Sequence, residues 1–203
     1  IFMKWVLDEQ SPQDFLWGRG ATSPFVSQLL WNRGFRNEKD IQEFLKPDWN
    51  SGIHDPFLFR YMDKAAKRIM KAIESGEHIK ILADYDADGI TSGAILYETL
   101  EFLGAKDLSI YIPDRFTEGY GIQPEVIDGC KEENVSLAIS VDVGITAHEA
   151  LEKARGFGID VIVCDHHHPK ETLPPAHAIL HPHLPGETYP FKDLSGVGVT
   201  FKL

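Results

Sequence analysis

Three short apolar runs in this chain each stop at an aspartate. They are residues 79–83 before Asp84, residues 137–141 before Asp142, and residues 161–164 before Asp165. If these runs are parallel strands, their carboxylates converge at one edge of a sheet, where open α/β folds build their active sites. Two histidines, His166 and His167, directly follow the third aspartate. The pattern therefore predicts a metal site at that edge of the sheet.

From residue 61 onward, helical and extended patterns alternate along the chain. Besides the three runs above, strands are expected at residues 109–112 and 178–180, and helices at about 91–103 and 147–155. Strands alternating with helices of this length are typical of right-handed βαβ units. The sequence therefore predicts an α/β fold with a mainly parallel sheet flanked by helices.

Residues 1–60 carry a different pattern. Ser23 and Pro24 form a helix start, and a second short helix is expected over residues 37–45. We therefore expect a small helical N-terminal extension, residues 1–60, before an α/β domain of residues 61–203. The extension holds all the tryptophans of the chain: Trp5, Trp17, Trp31 and Trp49. We expect them to anchor its helices, with a stacking surface for bases as the alternative.

Composition narrows the class of protein. No stretch approaches the roughly 18 consecutive apolar residues of a membrane span. The two cysteines, Cys130 and Cys164, argue against a disulfide framework, because the second lies inside a predicted buried strand, and so a cytoplasmic location is expected. The net charge of −11 argues against a whole-surface polyphosphate binder. Many acidic groups nevertheless fall in the predicted site, where cations would offset them.

The first aspartate cluster carries the most information. Asp84, Asp86 and Asp88 alternate, so in an extended segment they point the same way, and Gly89 then allows a tight turn into a helix. Turn and capping roles explain one of these aspartates well and three poorly. Like charges so close repel one another unless cations lie among them. Oxygen ligands mixed with imidazole nitrogen suit manganese, magnesium or zinc.

A site of this kind favours phosphoryl chemistry. Two divalent ions bridged by carboxylates are the arrangement used by nucleases, phosphatases and polymerases, so phosphodiester or pyrophosphate hydrolysis is the predicted reaction class. Arg115 follows a predicted strand and would bind a phosphate by a bidentate contact, with a surface salt bridge as the alternative. The remaining histidines of this half are expected in loops or on the surface: His168, His177, His181 and His183.

These residues resemble a known family. The segments 84–89 (DYDADG), 141–144 and 165–167 (DHH) resemble the first three motifs of the DHH phosphoesterase superfamily. More narrowly, the segments 113–121, 196–199, 33–35 and 44–47 are similar to the RecJ family of single-strand-specific DNA exonucleases. The similarity extends over nearly the whole chain.

The resemblance implies a metal-dependent phosphodiesterase, a 5′ to 3′ exonuclease on single-stranded DNA that acts in recombination and repair. It implies a two-metal site for Mn²⁺ or Mg²⁺, and helicase or single-strand-binding proteins as partners. The catalytic residues that it implies are Asp86, Asp88, Asp142, His166 and His167. The metal ligands are then Asp84, Asp86, Asp88, Asp142 and His166. Asp165 is expected to orient a histidine without binding the metal itself.

The family's fourth metal-binding aspartate lies beyond the segment 196–199, whereas this chain ends at Leu203. The resemblance therefore implies a phosphoesterase domain truncated at its C-terminal end. We expect such a fragment to bind metal weakly and to be inactive alone.

Three alternatives remain open at this stage. Another DHH phosphoesterase, acting on short oligonucleotides, cyclic dinucleotides or pyrophosphate, would share the same three motifs. A phosphatase of the haloacid-dehalogenase type would use Asp86 as nucleophile and Asp88 as acid, but it does not explain the Asp-His-His cluster. A non-catalytic DHH-like replication scaffold belongs to a different class of protein and typically lacks metal ligands, which this chain retains.

Overall fold

The computed structural model describes residues 4–12, 15, 23–119 and 121–203. Two residues that the sequence analysis uses lie outside the described residues. They are Trp17, one of the tryptophans, and Tyr120, which lies in the segment 113–121 with Arg115. The chain divides into two compact units, Ile1–Ile53 and His54–Leu203. The break thus lies at residue 53, whereas the sequence predicts a boundary at residue 60. The assignment of an extension and a domain stays a prediction.

The first unit is helical where it is described. Its helices are α1 (Pro24–Asn32), α2 (Glu38–Leu45) and α3 (Trp49–Gly52). The side chains of Ser23 and Asn37 accept backbone hydrogen bonds at the starts of α1 and α2, so both helices begin at a polar cap as predicted. Leu30 and Ile41 form its small buried core.

The tryptophans of this unit differ in their surroundings. Trp31 packs edge-on against Phe15, and the Arg36 guanidinium lies 3.7 Å from the Trp31 ring centroid. Trp5 and Trp49 are largely exposed. Their anchoring role therefore stays a prediction.

The second unit alternates helices and strands. A short 3-10 helix, Pro56–Leu58, opens it, followed by α4 (Met62–Ser75), β1 (Ile79–Ala83), α5 (Ala87–Phe102), β2 (Leu108–Tyr111), α6 (Pro124–Glu132), β3 (Leu137–Val141), α7 (His148–Phe157), β4 (Asp160–Cys164), β5 (Ala178–Leu180) and α8 (Gly196–Lys202). Three strands have the predicted bounds: β1, β3 and β5. Helix α5 begins four residues earlier than residue 91, where the sequence predicts its start, because the side chain of Asp86 caps it at that point.

The five strands form one parallel sheet in the order β2-β1-β3-β4-β5. The predicted α/β fold with a parallel sheet flanked by helices is therefore confirmed. The chain moves to opposite sides of β1 when it continues to β2 and then to β3, so the strand order reverses beside β1. Ligands of open α/β sheets bind at such a reversal, outside the carboxyl ends of the strands.

Two apolar layers cover the sheet. On one face Ile81 and Ile139 pack in a cluster that includes residues of α4 and α5, and on the other face Leu82 and Ala138 pack in a cluster that includes residues of α6 and α7. Because both faces are buried, the central strands are mostly apolar on both faces rather than alternating, with Lys80 and Ser140 as buried polar exceptions. Among the residues that the structure describes, none of the helices has the length and apolar character needed to span a bilayer.

The central strand β3 should dominate the stability of this unit. Ile139 is fully buried at its midpoint, so we expect Ile139→Ala to lower the free energy of unfolding by about 2–5 kcal/mol, and Ile139→Val by about 0.5–1.5 kcal/mol. Urea denaturation of the two variants measures the difference. Equal stability of the wild type and Ile139→Ala would contradict the central position of β3.

Candidate metal centre

The register of the sheet brings three aspartates side by side. Asp84, Asp142 and Asp165 directly follow β1, β3 and β4, and each is at most 3% exposed. The backbone N–H of Asp84 donates to the carbonyl of Val141, and that of Asp142 to the carbonyl of Cys164, at 3.3 and 2.8 Å. The ladder thus continues to the aspartates themselves and fixes their spacing. The convergence that the sequence predicts is present.

Asp142 lies at the centre of two clusters of ligand-type side chains. One cluster contains Asp142, His166 and His167, and the other contains Asp84, Asp86 and Asp142. Within each cluster the candidate ligand atoms all lie within 4.8 Å of one another. Nε2 of His166 is 3.2 Å from Oδ1 of Asp142. The shared carboxylate of Asp142 could therefore serve both clusters.

The Asp142 carboxylate has an unusual environment. Its two oxygens are buried, and neither accepts a hydrogen bond of acceptable geometry within the described part of the chain. Burial, together with the charges of Asp88 and Asp86, raises the pKa of Asp142 to about 8. Its φ of +60° is a left-handed conformation, which a non-glycine residue adopts at a cost of about 1 kcal/mol and which recurs at functional sites. A bound cation would offset both the desolvation cost of the buried carboxylate and the repulsion from Asp86 and Asp88.

Asp165 is, in contrast, saturated with donors. Its Oδ2 accepts the backbone N–H of Ile145 at 2.9 Å, and its Oδ1 lies 2.7 Å from Nδ1 of His167 and accepts the backbone N–H of His166. Burial opposes ionisation, yet the hydrogen bonds from His167 and Ile145 hold the pKa of Asp165 below its usual value. The hydrogen bond to Asp165 in turn raises the pKa of His167. Asp165 therefore contacts the His167 ring directly, while its role of orienting a histidine for a metal stays a prediction.

Asp86 caps helix α5. Its Oδ1 accepts the backbone N–H groups of Asp88 and Gly89, both at 2.9 Å. The hydrogen bond from Gly89 is the main reason that the pKa of Asp86 is lowered. Asp84 differs, because its burial raises its pKa. The two carboxylates therefore lie beside Asp142 in different environments.

Asp88 lies in the first turn of α5, so the prediction of one extended segment with three alternating aspartates is wrong. The strand ends at Ala83 and the capped helix begins at Ala87. The Asp88 carboxylate instead accepts the backbone N–H groups of Gly196 and Val197 at 2.6 and 2.7 Å. Among the described residues it belongs to neither ligand cluster, although its Oδ2 lies 3.7 Å from Nε2 of His166. Metal binding by Asp88 stays a prediction.

Arg115 lies in an exposed turn and contacts the Tyr85 ring. Its guanidinium carbon is 5.1 Å from the centroid of the Tyr85 ring, and Tyr85 directly follows Asp84. The turn is held by the Asp114 side chain, which accepts the backbone N–H of Phe116. Arg115 thus contacts the side chain of the residue that follows Asp84, while its phosphate-binding role stays a prediction.

The loop histidines differ in burial. His181 lies in a loop directly after β5, as predicted, but it is fully buried there rather than exposed. Its burial has a physical reason, because the apolar run of β5 leads straight into it and the chain then turns at Pro182. His168 and His183 are exposed, and His177 is partly buried beside Asp160.

Gly196 lies where no side chain fits. A Cβ atom at this position would approach the Asp142 carboxylate to less than 3.0 Å, which real Cβ atoms essentially never show. The absence of a side chain thus allows the start of α8 to lie against Asp142 while its backbone N–H groups bind Asp88. Sequence reasoning identified the segment 196–199 only as a family motif and missed this contact.

We expect Gly196→Ala to push α8 away from Asp142, to lower the free energy of unfolding by about 1–3 kcal/mol, and to weaken Mn²⁺ binding. Gly129→Ala is the matched control, because a Cβ there meets no atom within 4 Å and alanine is favoured over glycine in a helix. Thermal unfolding and calorimetric Mn²⁺ titration measure both effects. Wild-type Mn²⁺ affinity and stability in Gly196→Ala would contradict the close approach.

Curated proteins resemble this chain in sequence. The chain is 46% identical over 181 residues to the single-stranded-DNA-specific exonuclease RecJ of Bacillus subtilis, covering 89% of this chain and 23% of that protein. It is 38% identical over 180 residues to the RecJ of Escherichia coli, covering 89% of this chain and 30% of that protein. The chain thus spans about a quarter to a third of the length of these curated relatives.

Solved structures agree in fold. A crystal structure of exonuclease RecJ bound to manganese matches 71% of this chain and 36% of its own, with a TM-score of 0.65 and 38% identity. RecJ from Thermus thermophilus in complex with Mn²⁺ matches 88% of this chain and 24% of its own, with a TM-score of 0.66 and 34% identity. The family model described as the DHH family, N-terminal domain, matches residues 78–203. These residues contain the whole candidate metal centre, and the chain belongs to the DHH family.

Proposed function

We propose that this chain carries the metal-binding part of a 5′ to 3′ exonuclease that hydrolyses single-stranded DNA with Mn²⁺ or Mg²⁺, in DNA recombination and repair. The observation that carries the proposal is the Asp142 carboxylate, which is buried between the imidazole of His166 and the carboxylate of Asp86 and accepts no hydrogen bond from any residue that the structure describes. The relatives named above are single-stranded-DNA-specific exonucleases, and the matching RecJ structures contain manganese or magnesium.

The donor set fits a divalent cation of this kind. Carboxylate oxygens suit manganese and magnesium, and imidazole nitrogen is compatible with manganese. Asp142 and His166 would hold the ion, together with Asp84 and Asp86. A divalent ion bound there would neutralise negative charge on the phosphodiester.

The residues around the metal site would orient its groups or bind the phosphate of the substrate. Asp165 holds the His167 ring through Nδ1 and so limits the positions of the imidazole beside Asp142. Asp88 anchors the start of α8 next to the same carboxylate. Arg115 is the cation that we assign to the phosphate of the DNA backbone, because a guanidinium matches phosphate oxygens in a bidentate manner.

The proposal extends to the cellular location of the protein and to its partners. A cytoplasmic location agrees with Cys130 and Cys164, which are both buried free thiols. Helicase or single-strand-binding proteins are the partners that the family resemblance implies. Within the described chain, the predicted ligand positions are all filled by carboxylates or imidazoles, which favours an enzyme over a non-catalytic scaffold.

Cleavage of end-labelled DNA distinguishes the candidate substrates. The natural full-length protein is incubated with 5′-labelled and 3′-labelled single strands, duplex DNA, dinucleotides and pyrophosphate, in Mn²⁺ or in chelator. Metal-dependent release of the 5′ label from single strands alone supports the proposal. Cleavage confined to dinucleotides or pyrophosphate would indicate another DHH phosphoesterase, and no cleavage of any substrate would favour the scaffold.

We expect Asp142→Asn to lower cleavage by more than about 100-fold, because even the groups that only orient ligands contribute 10–100-fold. Asparagine tolerates the positive φ of this position, so the fold should be kept. Mn²⁺ at about 100 times its Kd should stabilise the wild type by about 2.7 kcal/mol and leave Asp142→Asn unchanged.

Asp107→Asn is the matched control, since Asp107 precedes β2 at the opposite end of the strands and its side chain is 63% exposed. Thermal unfolding with and without Mn²⁺, together with the cleavage assay, measures all three proteins. Cleavage and Mn²⁺ stabilisation at wild-type levels in Asp142→Asn would refute the assignment of the site.

A further inference from the structure

His181 is a fully buried imidazole that lies outside both ligand clusters. It directly follows β5, the edge strand that pairs with β4, and β4 leads into the Asp165-His166-His167 segment. A buried histidine costs free energy unless both of its ring nitrogens find partners. Both ring nitrogens of His181 are therefore expected to have hydrogen-bond partners.

Both nitrogens of His181 contact the backbone. The N–H of His183 donates to Nδ1 at 3.0 Å, and Nε2 lies 2.7 Å from the carbonyl oxygen of His167. A backbone N–H can only donate, so Nδ1 carries a lone pair. A carbonyl can only accept, so Nε2 carries the proton. The two contacts together fix one neutral tautomer and leave neither ring nitrogen as a metal ligand.

Two hydrogen bonds attach the histidine segment, residues 165–167, to the end of β5. The backbone N–H of Asp165 donates to the carbonyl of Leu180 at 3.1 Å, which extends the pairing of β4 and β5 by one hydrogen bond. Two residues further along, the His181 ring binds the carbonyl of His167. The segment from Asp165 to His167 is thereby tied to the end of β5 at both of its ends.

We propose that His181 is a positioning residue, which holds the backbone of His167 so that the imidazoles of His166 and His167 face Asp142 in the geometry that binds the metal. The proposal rests on the proposed metal centre. His181 acts through the peptide carbonyl of His167 and contacts no ligand atom of that centre. Asp165 orients the His167 ring through its side chain, whereas His181 fixes the main chain that carries the ring.

A merely structural role makes a different prediction. If His181 only fills space beneath β5, its removal lowers stability but leaves the Mn²⁺ affinity of each folded molecule unchanged. If it positions the segment, affinity falls in molecules that remain folded. Loss of a group that orients metal ligands typically weakens metal binding by 10–100-fold.

Three variants of the chain separate these roles. His181→Ala removes both contacts, and we expect its Mn²⁺ affinity to fall by about 10–100-fold. His181→Gln can place an amide N–H near the position of Nε2, within reach of the carbonyl of His167, so it should recover part of the affinity. His183→Ala is the matched control, because its side chain is exposed and its backbone N–H remains in place.

Calorimetric Mn²⁺ titration gives the affinities, and circular dichroism at the same temperature gives the folded fraction. Wild-type affinity in folded His181→Ala would overturn the proposal, as would equal losses in His181→Ala and His183→Ala. If His181→Ala does not fold, the comparison of His181→Gln with the wild type and with a further variant, His181→Leu, decides in its place: equal affinities of His181→Gln and His181→Leu would overturn the proposal. Failure of the wild type to bind Mn²⁺ would instead refute the metal centre as a whole.

The tautomer supplies an independent readout that needs no metal. In the metal-free wild-type chain at pH 7.5, long-range ¹H–¹⁵N correlation spectra should show His181 protonated at Nε2 and unprotonated at Nδ1. A proton on Nδ1 would overturn the contact to His183, and with it the proposal.

Discussion

Electrostatic repulsion at the carboxyl edge of the sheet is the constraint on which the rest of this structure depends. Parallel pairing of β1, β3 and β4 in register brings Asp84, Asp142 and Asp165 together in a largely buried position. Like charges that close, with little water around them, strongly disfavour ionisation. Each carboxylate therefore needs a donor or a cation.

The fold supplies donors to most of these carboxylates from backbone groups. Asp86 receives them from the first turn of α5, Asp88 from the first turn of α8, and Asp165 from Ile145 and the histidine segment. Asp142 accepts none from the described residues, and its burial, together with the charges of Asp88 and Asp86, raises its pKa to about 8. These backbone donors bind the neighbouring carboxylates and not that of Asp142. The Asp142 carboxylate is therefore where we propose that the cation binds.

The parts that the sequence predicts well are those that depend on local pattern. Short, mostly apolar runs predict β1, β3 and β5 to the residue, and an aspartate after each central strand predicts which carboxylates meet. The contact of Asp88 with Gly196 escapes such reasoning because the two residues are 108 positions apart in the chain. Asp88 itself departs from the extended pattern because the cap at Asp86 begins the helix before that pattern can continue. The burial of His181 likewise depends on the pairing of β5 with β4, which no local spacing reveals.

Anomalous scattering from crystals of the chain grown with MnCl₂ tests most directly whether the repulsion at Asp142 is resolved by a cation. Data collected at the manganese absorption edge should show a peak in contact with the carboxylate of Asp142 and with Nε2 of His166. A peak confined to exposed acidic residues, with Asp142 still lacking a partner, would contradict a metal centre at this edge of the sheet.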